Sequence, residues 1–291
     1  MTAQWIERAP AKVNLTLHVV RRRLDGFHDL ESLVAFTGAG DTLTLDAAEQ
    51  TSLVVEGPTA AAAGATSDNL VLKAMSALAA RVPGLRSGAF RLVKRLPAAA
   101  GIGGGSSDAA AALRLLARAN ELSLNDPRLM EAAAAIGSDV PVCLDPRARM
   151  MSGRGDVLAG PLAMPALFAV LVNPGVPLET REVFARIGLG PGEELGYGQH
   201  PAVPQALSPD MLFALLKRGR NDMEDAASVL APVVGHVTAV LSAARGCRLA
   251  RMSGSGATCF ALFETCRAAA RAASVVRRDH PEWWVKATVL R

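Results

Sequence analysis

Residues 96–110, LPAAAGIGGGSSDAA, set four glycines and two serines between a proline and an alanine-rich run. Glycines at 101, 103, 104 and 105 let the backbone pass through φ > 0 and bring its N–H groups close to an anion, and Ser106 or Ser107 is placed to cap a helix over 108–119. Unpaired amides and the positive end of the helix dipole then point into the loop, which suits it to a diphosphate or triphosphate. A flexible linker is the plain alternative, but linkers seldom run straight into a capped helix.

At 291 residues the chain exceeds ordinary single-domain length. Two domains are expected, 1–160 and 161–291, with the boundary in the glycine- and proline-rich stretch 153–164. Half of the residues are hydrophobic, but much of this is alanine, and the longest uncharged run, 158–178, is cut by Pro161, Pro165, Asn173, Pro174, Gly175 and Pro177. No membrane-spanning segment is expected. The opening MTAQWIERAPAKVNL lacks the basic, apolar and small-residue regions of an export signal, so the cytoplasm is the expected compartment. Cys143, Cys247, Cys259 and Cys266 form no CxxC pair and predict buried thiols, with neither zinc nor disulfides. The net charge of +4 is spread along the chain, with Arg21-Arg22-Arg23 as the one basic run, and attraction to an anionic small molecule accounts for it without nucleic acid. Of 31 basic residues only Lys12, Lys73, Lys94, Lys217 and Lys286 are lysines, so Lys12 and Lys94, which fall within motifs, hint that a compact ammonium is needed there.

Val13, Leu15, Leu17 and Val19 alternate with Lys12, Asn14, Thr16 and His18, which predicts a half-buried strand over 11–20 with Lys12 and Asn14 on one face. A polar loop over 21–29 and short strands at 42–45 and 52–55 make the opening third largely β. A helix is expected from Ser67-Asp68-Asn69 to about Arg81, then a strand at 89–94 leading into the glycine loop, and later a helix from Asp126-Pro127 to Gly137. Asp139 follows in a turn that Pro141 prevents from continuing as helix. Further on, the pattern predicts a strand at 167–172 and a variable loop over 190–209 in which Tyr197 and His200 carry no function. Helices at 211–217 and 222–245 precede strands at 248–252 and 258–262, which flank a second glycine loop, Ser253-Gly254-Ser255-Gly256; a last helix and a strand near 284–290 complete an α+β pattern without internal repeats.

No Lys-Ser or Lys-Thr follows the first glycine loop, so it is not a Walker A motif, and the DFG and HRD strings of protein kinases are absent. As a dinucleotide fingerprint, Gly101-x-Gly103-x-x-Ser106 puts serine at the third glycine and lies outside an N-terminal βαβ unit, which disfavours an oxidoreductase. Three ordered strings, PAKVNL at 10–15, LPAAAGIGGGSSDAA at 96–110 and SGSGATCF at 253–260, resemble the motifs of the GHMP small-molecule kinases, over almost the whole chain. Within that superfamily RRLDGFHDLESL at 22–33, IGSDVP at 136–141 and NPGVPLETREVF at 173–184 resemble the branch that phosphorylates the 2-hydroxyl of a cytidine-diphosphate-linked methylerythritol, in the non-mevalonate route to isoprenoid precursors. Mevalonate, homoserine and galactose kinases lack these secondary strings. The resemblance implies an α+β, two-domain GHMP kinase fold: an N-terminal half like ribosomal protein S5 domain 2, a ferredoxin-like C-terminal α/β half, and a cleft between them. It also implies ATP, Mg²⁺ carried on the nucleotide without protein metal ligands, a small-molecule partner bearing a cytidine diphosphate group, no nucleic acid or membrane partner, and a monomer or weak homodimer.

Phosphoryl transfer requires charge neutralised on the moving group and the attacking hydroxyl held in line. By the resemblance, Pro97, Ala98, Ala99, Ala100, Gly101, Ile102, Gly103, Gly104, Gly105, Ser106 and Ser107 cradle the phosphates, with Asn69 and Lys94 bordering the nucleotide. Asp139 becomes the general base and Lys12 its partner. Phe27 and Phe184 sandwich the cytosine, His28 reads its edge, and Asn14 and Thr180 make polar contacts to the substrate. Phe27 replaces the tyrosine common at this position in the family, which keeps the stacking surface and removes a hydroxyl. Without the resemblance, Lys12 reads as a solvated strand lysine, Asp139 as a turn residue or a base with equal weight, Phe27 and Phe184 as core, and Asp108 as a helix-start acid ahead of a metal ligand. A free aspartate, with a pKa of about 3.9, is a weak base, but a loose transition state lets the proton leave late, so orienting the hydroxyl matters more than basicity. The 253–256 loop either packs on the phosphate loop or is an ordinary tight turn. A nucleotide-binding module without catalysis would not need both Lys12 and Asp139.

Overall fold

The computed structural model describes residues 4–291. Its strands and helices run β1 (Gln4–Asn14), β2 (His18–Arg22), β3 (His28–Ala47), β4 (Ser52–Glu56), α1 (Leu70–Ala79), β5 (Gly88–Val93), α2 (Gly104–Ala119), α3 (Pro127–Ile136) and α4 (Val140–Leu144). They continue as β6 (Arg149–Gly153), β7 (Val157–Leu158), β8 (Leu167–Asn173), α5 (Thr180–Ile187), α6 (Pro209–Arg218), α7 (Glu224–Leu230), α8 (Pro232–Ala243), β9 (Cys247–Met252), β10 (Cys259–Phe263), α9 (Cys266–Asp279) and β11 (Trp284–Leu290). Two compact units share the chain by turns. The described residues through Lys12, with Ala39–Ala98 and Gly103–Pro146, make the first; Val13–Gly38, Ala99–Ile102 and Arg147–Arg291 make the second.

In the first unit β5 lies between β4, which is parallel to it, and the antiparallel second half of β3, in the register Thr42↔Val93 to Ala47↔Gly88. Helix α2 is buried on almost every side from Ser107 to Ala117. Its run of alanines explains this, since small side chains let α1 and α4 approach its backbone closely while adding little entropic cost. The alanines of α3, Ala132 and Ala133, do the same.

In the second unit β11, β8, β10 and β9 form an antiparallel sheet in that order. With α8 before β9 and α9 after β10, this is the split βαβ topology of ferredoxin-like folds. Alternation divides the sheet into two apolar faces. Val170, Val172, Cys259, Ala261 and Phe263 pack with Val234, Val237 and Leu241 of α8 and Ala269, Ala273 and Val276 of α9. Leu171, Phe260 and Leu262 face the other way, with Leu212, Leu215 and Leu216 of α6.

Several boundaries differ from the sequence expectation. The strand expected over 11–20 is two, β1 and β2, separated at 15–17, and the short strand at 42–45 is the end of a 20-residue β3. The polar loop contracts to 23–27 because β2 and β3 pair as far as Arg22↔His28. The helix expected over 222–245 breaks at Ala231, where Pro232 lacks the N–H to continue α7 and opens α8 instead. Likewise Pro141 sits in the first turn of α4, where a missing N–H costs nothing, so Asp139 precedes a helix. Of the cysteines, Cys143 and Cys259 are buried as expected, whereas Cys247 is half-buried and Cys266 exposed at the start of α9.

Candidate active site

The glycine loop enters its helix differently from the serine cap expected. Gly103 occupies the N-cap position in a left-handed conformation, φ 61°, and no side chain caps the helix. Gly104, Gly105, Ser106 and Ser107 are already helical, and Asp108 lies in the second turn, so it is not a helix-start acid. Ser107 Oγ donates to Pro10 O at 2.7 Å, and Ser107 N bonds to Gly103 O. The amides of Gly104, Gly105 and Ser106 meet no protein acceptor among the described residues. That open first turn, with the helix dipole behind it, is an anion-binding arrangement.

Lys12 stands beside it within the same unit. A Cβ built on Gly103 would lie 3.4 Å from Lys12 Cβ and 3.5 Å from its Cε, so the loop backbone rests on the lysine stem. Lys12 Nζ is 2.8 Å from Asp139 Oδ2, with side-chain exposures of 5% and 36%. A buried ammonium thus orients a carboxylate that a ligand can reach. The strand, the helix N-terminus and the turn before α4 bring Lys12, Gly103 and Asp139 together.

Lys94 has a different setting. Its ammonium is buried between Asp41 Oδ2 at 2.5 Å and Asp108 Oδ2 at 2.7 Å. Asp41 Oδ1 accepts from Arg95 N and Leu96 N. Asp41 therefore grips the chain where it leaves β5, while Asp108 holds α2 from within. One ammonium and two carboxylates fix both ends of the glycine loop. Burial pulls the Lys94 pKa down, but the two carboxylates more than reverse it and hold the lysine charged. Burial pushes Asp108 up to about 7 against the pull of Lys94, with the neighbouring Asp41 charge adding to the rise. Two of the three ammonium donors are used here, so Lys94 anchors the loop. Asp41 escaped the sequence reading, although a signal was present: it is in phase with the buried Leu43 and Leu45, an acid in an apolar row.

Asn69 caps α1, its Oδ1 accepting from Val71 N at 3.0 Å. The next residue, Leu70, lies 3.3 Å from a Cβ built on Gly105, which sets the start of α1 against the start of α2. Pro97 is half-buried and Ala98 exposed.

The remaining loop residues belong to the second unit. Ala99 is exposed at φ 47°, Ala100 and Ile102 are buried, and Gly101 meets the second glycine loop. Ser253 Oγ donates to Gly101 O, and Thr258 N donates to Ala100 O. A Cβ on Gly101 would stand 2.5 Å from Gly256 O and 2.6 Å from Ser253 O, closer than side chains tolerate. The 253–256 segment therefore packs on the first glycine loop at Ala100 and Gly101 and is more than an ordinary tight turn. Asn221, also unforeseen, steadies it by donating to Met252 O and Gly254 O.

The residues expected at the base lie in the second unit too. His28 stacks on Phe184, ring centroids 4.2 Å apart and planes 8° from parallel. His28 thus covers one face of Phe184. Burial, with the Arg22 charge beside it, lowers the His28 pKa, so the ring is neutral at pH 7, and its Nε2 is buried without a partner. Phe27 is 53% exposed, with the Arg154 guanidinium 4.8 Å over its ring. Asn14 donates from Nδ2 to Ser32 Oγ and from its backbone N to Ser253 Oγ, leaving Oδ1 buried and unpartnered. Thr180 Oγ1 is 2.8 Å from Ser255 Oγ. His200 is not idle, as the sequence suggested: its ring bonds Thr16 Oγ1 at 2.6 Å and its N–H donates to Glu31, fastening the long loop to the second unit.

Open helix amides beside an ammonium–carboxylate pair can hold a phosphate next to a hydrogen-bond acceptor. The profiles of the GHMP kinases N terminal domain and C terminal domain match residues 69–145 and 207–282. Fold and site together thus define an ATP-dependent small-molecule kinase of the GHMP class. The 4-diphosphocytidyl-2-C-methyl-D-erythritol kinase of Methylobacterium radiotolerans is 60% identical over 286 residues, covering 98% of both chains, and that of Xanthobacter autotrophicus is 58% identical over 287, again 98% of both. A crystal structure of 4-(cytidine 5'-diphospho)-2C-methyl-D-erythritol kinase is 32% identical, with a TM-score of 0.75 over 98% of this chain and 99% of that one. The chain belongs to this branch of the GHMP kinases. A crystal structure of L. major mevalonate kinase, 16% identical with a TM-score of 0.70 over 100% of this chain and 97% of that one, shares the fold.

Proposed function

We propose that the chain transfers the γ-phosphoryl group of ATP to the 2-hydroxyl of 4-diphosphocytidyl-2-C-methyl-D-erythritol, with Asp139 as the base and Lys12 as its partner. The observation that carries this proposal is the Lys12–Asp139 pair at 2.8 Å, against the loop that opens α2. The amides of Gly104, Gly105 and Ser106 bind phosphate oxygens, and Lys12 adds positive charge beside them. Asp139 accepts a hydrogen bond from the substrate hydroxyl, aims its oxygen at phosphorus and takes the proton as the bond forms. In a loose transition state such orientation and charge stabilisation supply most of the acceleration.

Among the described residues no group of three or more His, Cys, Asp or Glu is arranged to hold a metal ion. Asp108, a buried acid of α2, pairs through Oδ2 with Lys94, while its Oδ1 is buried without a partner. We infer that Mg²⁺ arrives on the triphosphate, where the ion would neutralise charge on the phosphate oxygens. For the base, the exposed ring of Phe27 offers a stacking face, and the unpartnered Nε2 of neutral His28 and Oδ1 of Asn14 offer polar contacts. No helix of the described residues is long and apolar enough to cross a membrane. We place the enzyme in the cytoplasm, as a monomer or weak homodimer. A coupled ATP assay with the cytidylylated methylerythritol, and with mevalonate and homoserine as controls, tests the assignment. Turnover only with the first supports it; turnover with another alcohol and none with the first refutes it.

A further inference from the structure

Arg154 belongs to neither the glycine loops nor the strings that carry the family resemblance, yet its guanidinium lies 4.8 Å over the centre of the Phe27 ring. The sheet sets this approach. Strand β6 pairs with β3 in the register Leu30↔Gly153, so the turn after β6 faces the loop that leads into β3, where Phe27 is the last residue. The guanidinium is not loose: Asp156 Oδ2 accepts from Arg154 Nε at 3.2 Å and from Nη2 at 3.0 Å, and Asp156 Oδ1 accepts from Arg154 N at 3.0 Å. One carboxylate thus fixes both the turn and the plane of the cation. Phe27 is held from the other end as well, its N–H donating to Asp25 Oδ1 at 3.2 Å. A phenyl ring more than half exposed ordinarily samples several rotamers. Here one face is covered, so only the opposite face can receive a nucleobase.

We propose that Arg154 is a positioning residue for the nucleoside-diphosphate substrate: it braces Phe27 through a cation–π contact and presents the uncovered ring face to the base. This rests on the assignment of Phe27 to base stacking above. Bracing lowers the entropy lost when the base binds, so its loss appears in the KM for that substrate.

Steady-state kinetics of Arg154→Ala, Arg154→Lys, Phe27→Ala and the double variant test this, with KM measured for the cytidylylated substrate and for ATP. Arg154→Ala is expected to raise the cytidylylated-substrate KM about fivefold, the size of an exposed cation–π contact, with the loss falling on KM rather than kcat and with KM for ATP unmoved. Arg154→Lys recovers part of the loss, because it keeps the charge without the planar stack. Phe27→Ala raises the same KM more, and the double variant matches Phe27→Ala within twofold. An unchanged KM in Arg154→Ala beside a raised one in Phe27→Ala overturns the bracing role alone. Multiplying effects in the double variant also overturn it, since Arg154 would then act on the substrate independently of Phe27. An unchanged KM in Phe27→Ala overturns the stacking assignment and the inference with it.

Discussion

Replacing Gly101 by alanine tests how the two glycine loops support each other. Gly101 has φ 71°, and a Cβ there would stand 2.5 Å from Gly256 O, 2.6 Å from Ser253 O and 2.9 Å from Gly256 N. All three are backbone atoms, so no side chain can swing aside and the loops must part. The left-handed conformation costs about 1–2 kcal/mol for a residue with a Cβ. Overpacking against backbone adds about 1–3 kcal/mol. Separation also strains the bonds from Ser253 Oγ to Gly101 O and from Thr258 N to Ala100 O, each worth about 1 kcal/mol. A total of about 2–5 kcal/mol is expected with both bonds kept, rising to about 7 kcal/mol if both are lost. Gly103 is the control, because it shares the left-handed φ but has only ordinary contact at 3.4 Å, with Lys12 Cβ; Gly103→Ala should cost about 1–2 kcal/mol. Urea denaturation followed by far-UV circular dichroism reads both variants. If Gly101→Ala is within about 1 kcal/mol of wild type, or is the milder of the two, the close packing of the loops is refuted.

Asp108→Asn should flatten the pH dependence of stability. The folded pKa of Asp108, raised to about 7 from 3.8, means that its contribution is fully present below the unfolded value and is lost as pH rises through about 7; denaturation midpoints from pH 4 to 8 should show wild type losing ground to the variant. His18 works with the opposite sign. Burial, with Arg220 nearby, lowers its pKa to about 3, so stability present above 6.5 is lost as pH falls toward 3, and His18→Gln should weaken that acid loss in the same titration. Ser107→Ala removes the bond to Pro10 O and should lower stability by about 1 kcal/mol, read from the denaturant midpoint at constant slope.

Much of the site could be read from the chain itself. The glycine loop, the strand before it and the α+β order are local features, set by turn chemistry and by the period of the apolar residues. The Lys12–Asp139 pairing came from motif resemblance, since the two residues are far apart in sequence and no period links them. The start of α2 was misplaced because serine is the stronger N-cap by propensity, whereas a left-handed Gly103 resting on Lys12 opens the helix four residues before Asp108. Lys94 and Asp108 read from the chain as a nucleotide-bordering lysine and a helix-start acid; what the sequence does not reveal is Asp41, a partner from a distant strand that shares the Lys94 ammonium with Asp108. Long-range register likewise hid the stack of His28 on Phe184 and the tether of His200 to Thr16.

The central claim is that the carboxylate beside Lys12 handles the alcohol while the open amides of α2 hold the nucleotide. Asp139→Asn separates these roles when turnover and ATP affinity are measured on the same preparation. The account predicts a fall in kcat of about 10²–10⁴-fold with ATP Kd within about threefold of wild type. A variant that turns over at the wild-type rate, or loses nucleotide binding in proportion to its activity, would contradict it.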